Sequence, residues 1–361
     1  MNRIEWGGRR IGIIASGISY QYAKEALGES ASYLKLGMVY PMPEKLILEF
    51  ASQVDQVYVV EELDDFIETH CKKIGVSVIG KEIFSLCGEL SADIIREKIL
   101  GEKKSDFAKA EESVPVRPPV LCPGCPHRGT YYVLNKMKLH VQGDIGCYTL
   151  GALAPLSAMD TSLCMGGSIT SQHGFEKARG RDYVKNSVAV IGDSTFIHSG
   201  ITGLIDVVYN KGTSTILILD NSITGMTGHQ QNPITGYTLK GEETSVVDLE
   251  MLAHAVGVKR VRVVDPFDLE GLEAALKEEL AAEEPSVIIV QRPCALLKYV
   301  KFDGPVQIDS EACKRCGMCM KIGCPAIHKT ETGYEIDDSL CNGCGLCQKV
   351  CKFGAIQKGE E

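Results

Sequence analysis

The chain has 361 residues, of which 44% are hydrophobic and 24% charged, and its formal net charge is −9. This composition is that of a globular protein long enough for two or three domains. The negative charge argues against nucleic acid and anionic membranes as partners. The sequence shows neither a signal peptide nor an apolar run of about 18 residues, so a cytoplasmic protein is expected. Fifteen cysteines in that reducing compartment indicate metal sites rather than disulfides.

The first segment of the chain alternates apolar runs with amphipathic stretches. Such alternation predicts an α/β domain with a parallel sheet and helices on both faces. The predicted strands are 11–17, 32–38, 56–63 and 76–80, and the predicted helices are 19–30 and 91–104. A charged and then proline-rich stretch at 103–119 predicts a linker. The first domain is therefore expected to span residues 1–110.

The second segment contains nearly continuous apolar runs. A parallel sheet buried on both faces requires such runs. The predicted strands are 187–192, 214–220, 260–265 and 286–292, with an amphipathic helix at 268–284 between the last two. Near residue 305 the composition shifts to Cys, Gly and Lys. A second α/β domain is therefore expected at 111–302, and a small α+β domain at 303–361.

The last segment holds eight cysteines in two runs of C-x2-C-x2-C, each followed by one further cysteine. Thiolates at this spacing converge on one [4Fe-4S] cluster, and in two-cluster ferredoxins the fourth cysteine of each run binds the other cluster. The expected ligand sets are Cys313, Cys316, Cys319 and Cys351 for one cluster and Cys341, Cys344, Cys347 and Cys324 for the other. Zinc sites are the alternative, but zinc ribbons lack the third equally spaced cysteine. The first run also has one residue more than usual before Cys324.

Polar residues follow two buried strands of the second domain. Asp193 comes directly after the strand at 187–192, and Asn221 follows the next strand. Because neighbouring parallel strands end at one edge of a sheet, we expect both side chains to face one ligand. Their oxygens suit Mg²⁺, and Gly192 would let a diphosphate reach the N–H groups of the following helix. Two ordinary turns are the alternative, since Gly, Asp, Ser and Asn are common turn residues.

This pattern resembles the thiamine-diphosphate motif, in which Gly-Asp-Gly or Gly-Asp-Ser is followed at a distance by Asn. The resemblance implies that Asp193, Asn221 and the carbonyl of Ile223 bind Mg²⁺. Further stretches are similar to the thiamine-binding region of 2-oxoacid:ferredoxin oxidoreductases, namely 121–130, 143–151, 164–170 and 225–233. With the C-terminal cysteines, they make the whole chain similar to the carboxyl-terminal part of the large (alpha) subunit of indolepyruvate:ferredoxin oxidoreductases. The first domain would then be transketolase C-terminal-like.

The resemblance also implies which residues contact the cofactor. The expected cofactor-binding residues are Gly146, Cys147, Gly166, Gly167, Gly192, Asp193, Ser194, Asn221, Thr227 and Gly228. Three histidines in loops of the expected site are candidates for proton transfer, and they are His127, His173 and His229. Structural or solvated histidines are the alternative for each of them.

A further group of cysteines raises the question of a third cluster. In related pyruvate and oxoglutarate enzymes, cysteines at the positions of Cys122, Cys125, Cys147 and Cys294 hold a [4Fe-4S] cluster near thiamine. The indolepyruvate enzymes are usually described with two clusters, so core thiols or a zinc site are the alternatives here. Cys71, Cys87 and Cys164 fit no pattern and are expected to be plain buried thiols.

The function implied by the resemblance is the oxidative decarboxylation of an aryl pyruvate with coenzyme A. The products would be the aryl-acetyl-CoA, CO2 and reduced ferredoxin. The family's large subunit begins with a domain that binds the thiamine pyrimidine, and this domain is expected to come from another chain, with a second (beta) subunit completing the enzyme. An oxidoreductase for pyruvate or another 2-oxoacid is one alternative. A non-catalytic iron–sulfur electron-transfer subunit is the other.

Overall fold

The computed structural model describes residues 1–102, 114 and 116–359. The chain divides into two compact units, Met1–Pro115 and Val116–Glu361. Most of the predicted linker at 103–119 lies outside the described residues. The second unit contains both the predicted diphosphate-binding segment and the cysteine-rich segment, and the boundary predicted between them at 302/303 stays a prediction.

The first unit is built on a four-stranded sheet with the order β1-β3-β2-β4. Strand β2 pairs in parallel with β3 and β4, whereas β1 pairs with β3 in the antiparallel sense. The elements are β1 (Arg3–Glu5), β2 (Ile11–Ser16), α1 (Gly17–Leu27), β3 (Ser32–Leu36), α2 (Glu44–Ala51), β4 (Gln56–Val60), α3 (Phe66–Lys73) and α4 (Ala92–Leu100). Helices α1 and α4 pack on one face and α2 and α3 on the other, because alternate strand residues point to opposite faces.

Three predictions for this unit need correction. Of the thiols expected to be buried, Cys71 is buried but Cys87 is exposed. The predicted strand at 76–80 is a single parallel bridge, in which Ile79 pairs with Tyr58 beside β4. The chain turns away at Gly80 because the Glu68 carboxylate accepts the N–H of Lys81 at 2.6 Å. Helix α4 ends at Leu100, short of the predicted end at residue 104, since Gly101 adopts a left-handed conformation (φ 73°) that caps the helix.

The second unit is built on a six-stranded, wholly parallel sheet with the order β6-β5-β7-β8-β10-β9. Its first elements are α5 (His127–Met137), β5 (His140–Gly143), β6 (Thr161–Ser162), α6 (Gly167–Arg179), α7 (Arg181–Val184) and β7 (Ser187–Gly192). They are followed by α8 (Asp193–Thr195), α9 (Ile201–Tyr209), β8 (Thr215–Asp220), α10 (Leu249–Ala255), β9 (Arg260–Val264), α11 (Leu269–Ala281) and β10 (Ser286–Gln291). The strand predicted at 187–192 is present with these bounds, and the other predicted strands and the helix predicted at 268–284 are present with slightly shorter bounds.

The central strands of this sheet are buried on both faces. In β7, Val188 and Val190 pack with α5 and α11, whereas Ala189 and Ile191 pack with α6, α9 and α10. The period of two residues in a strand explains this division. The result is a helix–sheet–helix sandwich whose loops at the carboxyl edge of the strands remain free to bind a ligand.

The cysteine-rich segment forms two small antiparallel sheets, β11 with β14 and β12 with β13. Its elements are β11 (Val306–Ile308), a 3₁₀ turn (Met318–Ile322), β12 (Ile327–Lys329), β13 (Tyr334–Ile336), α12 (Leu346–Val350) and β14 (Ile356–Lys358). Phe267, from the loop before α11, is buried in the core of this segment beside Val306 and Ile322. The segment is therefore packed into the second unit rather than tethered to it.

The predicted fold class is confirmed as α/β with a small α+β segment at the C-terminal end. Within the described part of the chain, no helix has both the length and the apolar character needed to cross a membrane.

Candidate functional site

A pocket of about 580 Å³ opens at the carboxyl edge of the six-stranded sheet, where β7 and β8 end. Most of the predicted cofactor-contacting residues lie in its wall, namely His127, Gly146, Cys147, Gly192, Asp193, Ser194, Asn221, Ile223 and Thr227. Tyr148, Met165 and Met226 also line it and were not predicted from the sequence. The chain thus brings residues from five separate stretches to one site.

Asp193 lies at the end of β7 and is only 3% exposed. Its Oδ1 accepts the N–H of Ser194 at 2.6 Å, whereas its Oδ2 is buried and has no hydrogen-bond partner. Burial and the negative charge of the neighbouring Asp220 raise the pKa of Asp193 to about 8. A buried carboxylate oxygen without a donor is costly unless a cation is bound to it. The residue therefore fits a metal ligand.

Asn221 reaches the same pocket through the turn that follows β8. The Asp220 carboxylate shapes this turn, because it accepts the N–H of Ser222 at 2.8 Å and the side-chain amide of Gln291 at 2.7 Å. Asn221 is buried, and its carbonyl accepts the N–H of Cys294 at 2.9 Å. With Ile223 in the same wall, a carboxylate, an amide and a main-chain carbonyl are available. This donor set suits a hard, oxygen-binding cation such as Mg²⁺.

The junction between β7 and the following helix approaches the ring of Tyr148 closely. A Cβ atom at Gly192 would lie 2.7 Å from Cε1 of Tyr148, and one at Gly146 would lie 2.4 Å from the same atom. Tyr148 is 4% exposed, and its hydroxyl donates to the carbonyl of Ile145 at 3.0 Å. Since this ring is fixed, only glycine fits at both positions. The bare main chain at Gly192 is what a diphosphate at a helix N-terminus needs.

The helix that begins at Asp193 contains an irregular turn. Three segments follow one another without a break, α8, a π-helical turn at Phe196–Gly200, and α9. Ser199 of this turn lies against Gly166, where a Cβ atom would be 2.4 Å from the serine Oγ. Single π-helical turns are frequent at functional sites. Here the turn lies directly behind the pocket.

Asp144 is the main polar residue that the sequence reasoning missed. It follows β5 and is fully buried. Its carboxylate accepts the N–H groups of Gly166, at 2.9 and 3.0 Å, and of Ser168 at 3.1 Å. It thereby fixes the loop before α6, which places Met165 in the pocket wall. Gly166 and Gly167 themselves stand behind that wall. The stretch 143–151 was recognised from the sequence, but the role of its aspartate required the fold.

The three predicted histidines have different surroundings. His127 is 4% exposed, lines the pocket and meets Tyr148 edge-on with ring centroids 5.7 Å apart. Burial lowers its pKa to about 4, so the imidazole is neutral at pH 7. His173 does not line the pocket, and its Nδ1 lies 3.3 Å from Oε2 of Glu176 on the same helix. His229 is exposed, and its Nε2 is 3.9 Å from Sγ of Cys294.

A small loop after Asn221 forms one rim of the pocket. Thr224 and Gln230 exchange two main-chain hydrogen bonds at 3.1 Å, which closes the loop at its base. The Thr227 hydroxyl donates to the side chain of Gln230 at 2.7 Å. Gly228, with φ of 118°, allows the turn at the tip and is not part of the pocket wall.

The four cysteines considered for a third cluster lie near one another beside the pocket. Burial, and then the charges of Cys294 and Cys122, raise the pKa of Cys147. Burial raises the pKa of Cys125 to about 12, with smaller contributions from Cys122 and Cys147. The Cys147 Sγ is also close to the loop after Asn221, since a Cβ atom at Gly225 would lie 3.6 Å from it. Through Cys147, this group of thiols adjoins the expected magnesium and diphosphate site.

Two further cavities lie in the cysteine-rich segment, and four cysteines line each of them. One is lined by Cys324, Cys341, Cys344 and Cys347. The other is lined by Cys313, Cys316, Cys319 and Cys351. Among the described residues, no three Cys, His, Asp or Glu side chains meet at a point that would hold a single metal ion. Each set of thiols thus surrounds a space, in the grouping predicted for two [4Fe-4S] clusters.

Parts of the chain match known protein families. Residues 144–290 match the family model for the thiamine pyrophosphate enzyme, C-terminal TPP binding domain, and residues 334–357 match the 4Fe-4S binding domain. The structure of 2-oxoglutarate:ferredoxin oxidoreductase from Magnetococcus marinus, with 18% identity and a TM-score of 0.43, covers 51% of this chain and 67% of that chain.

Two curated relatives extend over most of the chain, and both are named indolepyruvate oxidoreductase subunit IorA. The protein of Pyrococcus horikoshii is 37% identical over 395 residues, covering 98% of this chain and 61% of the relative. That of Archaeoglobus fulgidus is 38% identical over 357 residues, covering 91% and 56%. The resemblance to the large subunit of indolepyruvate oxidoreductases is confirmed, and the chain spans about three-fifths of the length of these relatives.

Proposed function

We propose that this chain is the thiamine-diphosphate-binding and electron-transferring part of a 2-oxoacid:ferredoxin oxidoreductase. The observation that carries the proposal is the pocket around Asp193 and Asn221, which shares one compact unit with two cavities lined by four cysteines each. A thiamine enzyme that transfers no electrons to iron–sulfur clusters would have no use for those cavities. A simple ferredoxin would have no use for the pocket.

Different residues of the pocket would bind the metal ion and the diphosphate of the cofactor. Asp193, Asn221 and the carbonyl of Ile223 would hold Mg²⁺, and the main chain at Gly192 and Ser194 would hold the diphosphate. Bound thiamine diphosphate supplies a carbanion that adds to the ketone of a 2-oxoacid and makes the loss of CO2 possible. His127, buried and neutral, would offer a hydrogen bond beside the reacting groups without adding charge.

The cysteines adjoining the pocket would carry electrons away from it. Cys147 lines the pocket, and with Cys122, Cys125 and Cys294 it would hold a third [4Fe-4S] cluster. Cys324, Cys341, Cys344 and Cys347 are called the Cys324 set. The loop between Cys122 and Cys125 also lines the cavity of this set, through Pro123 and Gly124. Electrons would therefore pass from the pocket to this loop and on to the two ferredoxin-type clusters.

The preferred substrate is proposed from the relatives alone. Both curated relatives described above carry the name indolepyruvate oxidoreductase, so aryl pyruvates with coenzyme A are the first substrates to test. The residues identified in the pocket face the diphosphate and the metal, and they do not discriminate between substrate side chains. Pyruvate and other 2-oxoacids remain the second candidate class.

The partners are proposed on the same footing. The relatives are longer than this chain, and a polypeptide segment that binds the pyrimidine of thiamine is proposed as one partner of the site. A second (beta) subunit and a free ferredoxin would complete the enzyme.

The test of function uses the complex of this chain with its partner polypeptides, purified without oxygen. With thiamine diphosphate, Mg²⁺ and coenzyme A, it should reduce ferredoxin or a viologen dye on addition of a 2-oxoacid. A panel of indolepyruvate, phenylpyruvate, pyruvate and 2-oxoglutarate identifies the substrate class. Asp193→Asn should abolish the reaction, and Asp206→Asn, on the exposed face of α9, should not change it. A complex that binds no thiamine diphosphate would indicate an electron-transfer subunit instead.

The number of clusters is tested by measuring iron and acid-labile sulfide in the purified chain. Two [4Fe-4S] clusters require about eight irons and three require about twelve. A content near twelve that falls to eight in Cys147→Ala would assign the third cluster to the Cys122 group. A content of eight in both proteins would leave these residues as buried thiols, and zinc in the wild type would indicate the zinc alternative.

A further inference from the structure

Arg128 is a buried arginine that joins the Cys122–Cys125 loop to the cysteine-rich segment. It lies in the first turn of α5 and is 2% exposed. Its guanidinium donates to the carbonyls of Leu121 and Cys122 on one side, the latter at 3.0 Å. On the other side it donates to the carbonyls of Ile322, at 3.1 Å, and of Gly323, directly before Cys324.

The charge of Arg128 has no acidic partner among the described residues. All its acceptors are main-chain carbonyls. Removing an unpaired charge from water is costly unless an opposite charge lies nearby. Burial lowers the pKa of Arg128, yet a guanidinium stays charged at neutral pH. Its position near a helix N-terminus, where the dipole is positive, adds to the cost. An anion close to the guanidinium would therefore offset the cost of burying its charge.

The cavity of the Cys324 set provides the place for that anion. Arg128 lines this cavity together with Cys324, Cys341, Cys344 and Cys347. The second cavity is lined by one basic residue, Lys314, and that residue is exposed to solvent. A charge in solvent is screened, whereas a buried one acts through a medium of lower polarity. The two sets of cysteines thus have unequal electrostatic surroundings.

We propose that Arg128 raises the reduction potential of the iron–sulfur cluster held by Cys324, Cys341, Cys344 and Cys347, so that this cluster accepts electrons before its neighbour does. The inference rests on the proposed function, because it requires clusters in both cavities. One-electron reduction adds one negative charge to a cluster, and a buried cation stabilises that added charge. Arg128 acts as a positioning and tuning residue and contacts no substrate.

Arg128 also positions the loop through which the electron would leave the thiamine pocket. Because its guanidinium holds the Cys122–Cys125 loop against residues 322–323, it sets the approach of that loop to the Cys324 cavity. Asn342 adds a second tie, since its side-chain amide donates to the carbonyl of Pro123 at 3.0 Å. The cluster with the higher potential would be the one that faces the thiamine pocket. An electron would then pass from the pocket to this cluster downhill in energy, and its onward transfer to the cluster of Cys313 would be the uphill step.

The experiment is a redox titration of the purified full chain, followed by electron paramagnetic resonance. The test variants are Arg128→Met and Arg128→Gln, which are neutral, and Arg128→Lys, which keeps the charge. The control is Lys321→Met, which removes an exposed cation from the 3₁₀ turn Met318–Ile322. Cys344→Ala identifies the signal of the Cys324-set cluster. The comparison is made at the midpoint potential that this cluster has in the wild type. At that potential, the ratio of reduced to oxidised cluster should fall at least tenfold in the neutral variants, which corresponds to a lowering of the midpoint potential by about 59 mV or more. Arg128→Lys and Lys321→Met should change it less than threefold.

The outcomes separate this inference from the proposed function. If the wild type contains no iron–sulfur clusters, the proposed function fails. If the clusters are present and the neutral variants keep the wild-type midpoints, the tuning role is wrong. A neutral variant that loses only the Cys324-set cluster, while Arg128→Lys retains it, supports the need for the charge. Loss of that cluster in Arg128→Lys as well would overturn the role of the charge and leave a structural tether.

Discussion

The carboxylate of Asp193 is buried, and one of its oxygens has no hydrogen-bond partner. Its Oδ2 is buried without a donor, and its pKa is raised to about 8 by burial and by Asp220. A cation at this oxygen removes the cost, so Mg²⁺ with thiamine diphosphate should stabilise the fold. At ligand concentrations a hundred times the Kd, the free energy of unfolding should rise by about 2.7 kcal/mol.

Calorimetry or chemical unfolding with and without the ligands measures this effect. Asp193→Asn should lose most of the stabilisation, because an amide provides a weaker ligand for Mg²⁺. Asp206→Asn serves as the matched control on the same helical stretch and should respond like the wild type. Equal stabilisation of all three proteins would show that Mg²⁺ does not bind at Asp193.

His127 makes a prediction about the effect of pH on stability. Its pKa falls from 6.5 to about 4 on burial, so the unfolded chain binds the proton more readily than the folded one. The stability due to the neutral form is fully present above pH 6.5 and is lost as the pH falls towards 4. Between pH 7 and pH 5 the loss should be about 2 kcal/mol for this group alone.

Urea unfolding at pH 7 and pH 5 tests the prediction for His127. His127→Gln should reduce the difference in stability between the two pH values, because it removes the titrating group. His140→Gln is the control, since His140 is exposed at the start of β5. If His127→Gln and the wild type lose the same stability at pH 5, the imidazole is not held neutral.

The sequence predicts which residues share a pocket where their convergence follows from local order along the chain. Asp193 and Asn221 each follow a strongly apolar strand, and the parallel sheet brings such positions together. The sequence did not show the roles of Asp144, Tyr148 and Arg128. Their contacts lie in loops or segments that meet only after folding, as in the link from Arg128 to Ile322, 194 residues away. No spacing rule connects positions so far apart.

At the level of the elements, the junction between β7 and its helix depends on the absence of a side chain. Gly192→Ala would place a Cβ 2.7 Å from the buried ring of Tyr148. Such overpacking should destabilise the chain by about 1–3 kcal/mol and weaken binding of thiamine diphosphate by displacing the junction. The φ of Gly192 is −79°, so backbone strain plays no part in the expected effect.

Chemical unfolding and isothermal titration measure the two consequences of Gly192→Ala. Gly174→Ala is the matched control, because Gly174 lies in α6 and a Cβ there would meet no atom within 4 Å. That control should gain stability, by about 0.5–1 kcal/mol, since alanine favours a helix. A Gly192→Ala protein with wild-type stability and affinity would show that the ring of Tyr148 can move aside.

The elements that sequence patterns identified are those with a long, uniform pattern. Strands β7, β8 and β10 are each six residues long and almost wholly buried, and each was expected. Strands β1 and β6 have only three and two residues, too few to show a period. The run at 76–80 has the composition of a strand, but its chain is drawn away from the sheet by Glu68. Tertiary contacts therefore decide the short elements.

For the whole molecule, the central feature is the arrangement of three sites side by side within one unit. The thiamine pocket, the Cys122–Cys125 loop and the Cys324 cavity are lined by residues that are close together in the chain. The buried Phe267 and Arg128 then fix the cysteine-rich segment against the α/β core. A ferredoxin segment held in this way can receive electrons over a constant distance. The cysteine spacing predicted the segment itself, and only the fold revealed how it is anchored.

The crossed grouping of the cysteines can be tested by comparing two double variants of the chain. Each cavity takes three cysteines from one run and its fourth from the other run. If clusters follow this grouping, Cys324→Ala with Cys344→Ala removes two ligands of one cluster, and the other cluster should remain. Cys324→Ala with Cys316→Ala should remove both clusters. Iron content and the low-temperature electron paramagnetic resonance of the dithionite-reduced chain distinguish these cases. The reverse result, with one cluster surviving in the second pair and none in the first, would show that each run binds its own cluster.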